Sequence, residues 1–279
     1  LMRVLAVPQK IIIGLNKTKD YLYSNGITVI GNPGSMYNKN LQAAKNLTFG
    51  SLNTQFESYF FPSALNLVEQ FETNEILDAA REQISWGAGK LSFLPKHIKL
   101  FTDGAMYSQN MVMRDGYLDG HEGSWLMDGK TYSDLFKIFW DDGYQIHIHQ
   151  NGDAGLDRLL NNLEQNMLSN PREDHRTTVV HFGYSAKDQL AKIKELGAVI
   201  SANPYYVTAL SDLYSRKGVG YERSQEMVRL GDAIKEDITV ALHSDMPMAP
   251  ASPLLLMHSA VNRNNLAGKV SGPEQRISA

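Results

Sequence analysis

A chain of 279 residues with 43% hydrophobic content can bury a full core, and its length allows one large domain or two ordinary ones. With 27 basic against 30 acidic residues the net charge is −3, and no basic stripe or acidic tail points to nucleic acid or to a charged disordered partner segment. Cysteine is absent, which removes disulfides, thiolate metal sites and thiol nucleophiles, and apolar runs such as 11–15 and 253–257 are too short to span a bilayer.

The first residues, LMRVLAVPQK, are broken by Pro8, Gln9 and Lys10 before a signal-peptide core can build up. They do not start with Met, so the natural N-terminus is expected to lie upstream. Location is weakly constrained, with the cytoplasm favoured. Residues 16–26 then read as a helix leading into a strand at 27–32 (ITVIGN). Further strands are expected at 54–61 (TQFESYFF), 97–102 (HIKLFT), 144–149 (YQIHIH), 177–182 (TTVVHF), 198–203 (AVISAN) and 238–243 (ITVALH). Helical periodicity fills 132–143, 154–167 and 185–197, and several of these stretches end in Gly, a common helix stop.

Strands alternating with helices imply an α/β fold with a parallel sheet and right-handed crossovers. Seven strands over this length suit a (β/α)8 TIM barrel of about 250 residues, forming a single domain over 1–279. The count is one short, which places the missing strand before residue 1. A doubly wound sheet is the alternative, and the lack of a G-x-G-x-x-G after an early strand weighs against it.

Side chains alternate along a strand, so each candidate divides into two faces. Gln145, His147 and His149 share one face of the fifth strand. Thr177, Val179 and His181 share one face of the next. Thr239, Ala241 and His243 share a face of the last, with Asp245 just beyond it, and His97, Lys99 and Phe101 share one face of 97–102. If the apolar faces meet the helices, Lys99, His149, His181 and Asp245 point inward at the C-terminal rim, where barrels of this kind build their sites. Each residue alone has an ordinary reading: a hydrogen-bonded strand histidine, a solvated lysine, a capping carboxylate. Together they are costly to bury without a shared cation, and imidazole plus carboxylate favours zinc, with manganese, iron or nickel as alternatives.

Within QIHIHQNGDAG, His147 and His149 differ in depth by about 6–7 Å along the strand. His149 is at the tip, level with His181, and is the expected ligand. His147 is expected to be a supporting residue, and Asp153 to cap the following helix or orient a ligand histidine.

Four stretches carry a resemblance to a known family: KLFTDGAMYSQ (99–109), HQNGDAGLDRLLNNLE (149–164), VVHFGY (179–184) and ALHSDMPMAPASPLLLMHSAVNR (241–263). In order and spacing they resemble the K-x-x-x-DG-S, H-A-x-GD-x-A…E, strand-six histidine and GSD-x-P segments of the amidohydrolase superfamily. The similarity is greatest to its amidohydrolase-3 branch, which includes YtcJ-like proteins and N-substituted formamide deformylases. The resemblance implies Lys99 as a carbamylated bridging ligand, His149 and His181 as strand-five and strand-six ligands, and Asp245 as strand-eight ligand and general base. It further implies that the family's strand-one H-x-H and its small C-terminal β-sandwich lie outside this sequence. His243 stands where the family usually has Gly.

The expected activity is metal-dependent hydrolysis of an amide or related C–N bond. One or two divalent ions, zinc favoured, activate water, Asp245 moves the proton, and the metal with His181 polarises the carbonyl. Gly104 to Tyr107, Trp125 and Tyr205–Tyr206 are candidates to line the pocket. The alternative is a non-catalytic or regulatory relative with an incomplete metal site. A phosphoesterase-type barrel would instead use rim cations such as Arg114 or Arg223. The expected partner is a small-molecule substrate, with no nucleic acid and no membrane; self-association is left open.

Overall fold

The first strand of the chain already departs from a buried pattern. β1 (Val29–Ser35) alternates exposed and half-buried residues until Ser35, and it follows helix α1 (Pro8–Ser24). The computed structural model describes residues 8–36, 38–50 and 56–279, and the chain divides into two compact units, residues 1–99 and 100–279.

In the first unit, β1, β2 (Glu57–Pro62) and β3 (Leu91–Phe93) form a parallel sheet in that order. Between them lie α2 (Lys39–Gly50), α3 (Ala64–Val68) and α4 (Ile76–Gln83). Phe60, Leu91 and Phe93 form a buried cluster, with Phe49 and Trp86 packed against it. The Lys45 ammonium stands 4.2 Å from the centre of the Phe60 ring, and burial lowers its pKa to about 8. β3 was not anticipated: three residues are too few for a period of two to show. The start of the expected strand at 54–61 lies partly outside the described residues.

The boundary between units falls within β4 (His97–Phe101). The second sheet has the order β4-β5-β6-β7-β8, where β5 is Gln145–Gln150, β6 Thr178–His181, β7 Val199–Ala202 and β8 Val240–Leu242. The pairings from β5 to β8 are parallel. All seven strand segments expected from the sequence contain a strand, and the α/β architecture with parallel sheets is as read.

Helices α5 (Gly129–Asp141), α6 (Asp153–Ser169) and α7 (Lys187–Leu196) alternate with these strands. The α5 helix starts where the Asp128 carboxylate accepts the backbone N–H groups of Lys130 and Thr131. α7 ends at Gly197, whose φ of 70° supplies the left-handed cap. The core gathers Phe136, Phe139 and Trp140 of α5, Ile146 and Ile148 of β5, Leu156, Leu159, Leu160 and Leu163 of α6, and Ile193 of α7, all buried. Each such side chain contributes about 1.5–3 kcal/mol on burial. Among the described residues no helix is long and apolar enough to cross a membrane. After α7 come α8 (Tyr205–Leu213), α9 (Tyr221–Gln225), α10 (Leu230–Lys235) and α11 (Pro253–Asn262).

Candidate active site

β5 behaves as the alternation demands. Ile146, Ile148 and Gln150 are buried, while Gln145, His147 and His149 are half-buried on the opposite face. Register then extends that face across the sheet. His149 pairs with Val180, Val180 with Ser201, and Ser201 with Ala241, so the four lie in one row.

This corrects the reading of β6. Thr178 and Val180, not Thr177 and Val179, stand beside His147 and His149, and Val179 lies beside Ile148 on the fully buried face. Register would set His181 beside Gln150, away from His149. Instead His181 has φ 79° and Phe182 φ 53°, so the pleat breaks at the strand end. The His181 ring comes to rest 4.5 Å from that of His149, centroid to centroid, edge on. A backbone twist, and not alternation, brings the second histidine to the rim.

The loop after β8 supplies the next groups. Nδ1 of His181 lies 3.9 Å from Oδ2 of Asp245, itself at φ 53° with its side chain 45% exposed. The same nitrogen lies 3.0 Å from Nε2 of His243, whose Nδ1 lies 2.9 Å from Oγ of Ser201. Ser201 carried no signal of its own in the sequence. Tyr206 is buried with its ring 6.4 Å from that of His181, and Tyr107 packs edge-on to Tyr206 at 5.6 Å. The Tyr107 hydroxyl donates to the Met248 carbonyl, and burial raises its pKa to about 12. The Arg158 guanidinium lies over the exposed Trp125 ring, 3.4 Å from its centre.

The support under His149 was not foreseen. Its Nε2 lies 3.1 Å from the Asn151 amide nitrogen, which also donates to the Gly104 carbonyl. Asn151 is held in turn by Asp103, a fully buried carboxylate that accepts four hydrogen bonds. They come from the Thr102 hydroxyl and the backbone N–H groups of Asn151, Val112 and Gly152. Burial pushes the Asp103 carboxyl up to about 6 against the downward pull of these bonds, so it is ionised at neutral pH. A Cβ on Gly155 would strike this carboxylate, and one on Gly152 would overlap the Val112 carbonyl. The two glycines in QNGDAG are the sequence mark of the buried acid. Asp153 accepts the N–H groups of Ala154 and Arg114, so it serves the helix start and the preceding loop and not a histidine.

Lys99 is 3% exposed in β4, bridged to Ser63, and belongs to the first unit, whereas His149, His181 and Asp245 belong to the second. Arg114 is committed to the carboxylates of Asp157 and Asp188. Arg223 donates through Nε to the Val219 carbonyl. Arg114 is thus taken up by carboxylates, whereas Nη1 of Arg223 is buried without a hydrogen-bond partner among the described residues. Among the described residues, no three His, Cys, Asp or Glu side chains are already gathered so as to hold a metal ion.

The comparisons with known proteins agree with the motifs. In sequence, the chain is 27% identical over 169 residues to Protein LONG AFTER FAR-RED 3 of Arabidopsis thaliana, covering 60% of this chain and 29% of that protein. It is 25% identical over 171 residues to Putative amidohydrolase YtcJ of Bacillus subtilis (strain 168), covering 60% and 31%. In structure, it resembles an uncharacterized metal-dependent hydrolase from Pyrococcus furiosus with a TM-score of 0.72 and 24% identity, covering 98% of this chain and 53% of that one. The chain thus spans under a third of the length of the curated relatives and about half of the solved one. The family model described as "Amidohydrolase family" matches residues 18–279, and the chain belongs to that family.

Proposed function

We propose that the chain forms the working part of a metal-dependent hydrolase that cleaves an amide or related C–N bond on a (β/α)8-type scaffold of a single domain. The observation that carries the reading is the meeting of His149, His181 and Asp245 at one end of the second unit's sheet: imidazole rings 4.5 Å apart, a carboxylate oxygen 3.9 Å from His181. Two imidazoles and a carboxylate are the donor chemistry of zinc and similar divalent ions, so these three are the residues that would hold one. Lys99 remains the sequence's candidate for a carbamylated ligand, carried by its motif.

A bound divalent cation lowers the pKa of water and polarises a carbonyl oxygen. The protein's share is proton handling and orientation. Asp245, at the rim and partly open to solvent, accepts a proton from the attacking water and returns it to the leaving nitrogen. His181 is anchored at Nδ1, beside His243 and Asp245, and would fix the direction from which a carbonyl oxygen is met. Tyr107 and Tyr206 form an aromatic wall beside it, suited to an apolar substituent on a small-molecule substrate.

The test pairs metal analysis with turnover. The purified chain is expected to carry near-stoichiometric metal and to hydrolyse members of a panel of N-acyl and N-formyl amides, with activity lost on chelation. Asp245→Asn is expected to lower turnover by about 100-fold or more with folding retained. A folded chain with no metal and no turnover, yet with retained ligand binding, would instead identify a non-catalytic relative.

A further inference from the structure

His243 joins two groups that the sequence gives no reason to connect. Ser201 shares the inner row with His149 by register, and His243 follows two residues after Ala241 of the same row. The half-buried imidazole thus reaches Ser201 Oγ at 2.9 Å with one nitrogen and His181 Nδ1 at 3.0 Å with the other. A neutral imidazole carries one N–H, so one nitrogen donates while the other accepts. Both contacts can be hydrogen bonds in only two ways: every proton directed from Ser201 toward His181, or every proton directed from His181 toward Ser201.

Asp245 decides between them. Its Oδ2 lies 3.9 Å from Nδ1 of His181, and a negative charge beside that nitrogen favours a proton there over a lone pair. His181 then donates from Nδ1 to Nε2 of His243, and His243 donates from Nδ1 to Ser201. The acceptor nitrogen of His181 is left as Nε2.

We propose that His243, seated on Ser201, is a positioning residue that holds His181 as its Nδ1–H tautomer and so presents Nε2 as the nitrogen that meets a divalent cation. Only the role given to Nε2 rests on the proposed function; the tautomer is argued from the geometry of Ser201, His243, His181 and Asp245. Outer partners of this kind fix ring orientation and tautomer, and removing one typically weakens metal binding about 10–100-fold.

The experiment uses the full chain at neutral pH. Long-range proton–nitrogen NMR of the imidazoles reports the tautomer of His181, and zinc titration against a chelator reports affinity. The parent is expected to show His181 as Nδ1–H. His243→Gly, which leaves Asp245 in place, should weaken that preference and bind zinc about 10–100-fold more weakly. Ser201→Ala should move both readouts in the same direction by less, and His243→Gln, whose amide can bridge the same two groups, should recover part of the loss. An Nε2–H tautomer in the parent overturns the proposal, and the parent spectrum decides this even where a variant fails to fold. An unchanged tautomer and zinc affinity in His243→Gly overturn it too, while leaving the metal reading intact. A parent that shows the Nδ1–H tautomer, holds it less firmly in His243→Gly, and yet binds no zinc upholds the positioning role and sinks the metal reading.

Discussion

The tips of β5 and β6 each bring a histidine to the rim, by opposite devices. At β5 the pleat is regular, and His149 reaches the rim by alternation alone. Its support comes afterwards, from a turn locked onto the buried Asp103 carboxylate. At β6 the pleat is broken. His181 and Phe182 both have left-handed backbones, a conformation that costs about 1–3 kcal/mol at a non-glycine residue and persists only where neighbours over-determine it. Those neighbours are visible: the Asn203 N–H donates to the His181 carbonyl, the Val228 N–H to the Gly183 carbonyl, and the Tyr184 N–H to the Asn151 carbonyl. One histidine is placed by the periodicity of its own strand, the other by contacts from distant parts of the chain.

That difference can be broken most severely at Asp103. Asp103→Ala leaves buried N–H groups of Asn151, Val112 and Gly152 without their acceptor, each at a cost of about 1–3 kcal/mol. A loss of about 4 kcal/mol is expected, or a Tm drop of about 8–16 °C. His149 signals should be perturbed far more than those of His181. Equal perturbation of both rings would mean that the bond from the Tyr184 N–H to the Asn151 carbonyl carries the disturbance across to β6.

A pH series sharpens the same point. The folded state holds the Asp103 proton more tightly than the unfolded chain does, because burial raises the carboxyl to about 6 from 3.8. Raising the pH through this window therefore favours unfolding. The stability of the parent relative to Asp103→Asn should fall by about 3 kcal/mol between pH about 4 and about 6, then level off. A difference that rises with pH, or stays flat, would show that the four hydrogen bonds outweigh burial. Gly155→Ala is next in size. It forces a methyl against the same carboxylate and should cost about 2 kcal/mol by crowding, with Asp103→Ser in the same chain partly relieving it.

What the sequence shows follows from which of these forces is local. The strand segments, the inner row of β5 and the placement of Asp245 just past β8 follow from a period of two and from chain order. His181 is the right residue type at the right strand, yet its row is misread, because a positive φ leaves no mark in the pattern. Ser201 looks like an ordinary strand polar until register places it, and Asn151 and Asp103 show their roles only through hydrogen bonds between distant parts of the chain. Asp103 alone announces itself indirectly, through the glycines at 152 and 155 that make room for it. The departure at His243 is visible in the motif, but its partner is not.

The smallest effect concerns Arg114, which the sequence offers as a phosphate ligand. Its Nε donates to Asp157 Oδ2 at 2.7 Å, its Nη1 to Asp188 Oδ1 at 3.2 Å, and its backbone N–H to Asp153 Oδ1 at 2.8 Å. The loop after β4 is thereby tied to the starts of α6 and α7, on the β5 side of the rim. The guanidinium is about one-third exposed, at 34%, and its contacts resemble surface ion pairs, so Arg114→Ala should cost about 1 kcal/mol, less at high salt. Because the clamp lies beside the turn that carries Asn151, the His149 ring signals should shift slightly while those of His181 stay put. If Arg114→Ala leaves stability unchanged and abolishes binding of inorganic phosphate, the residue is a ligand after all and the loop needs another anchor.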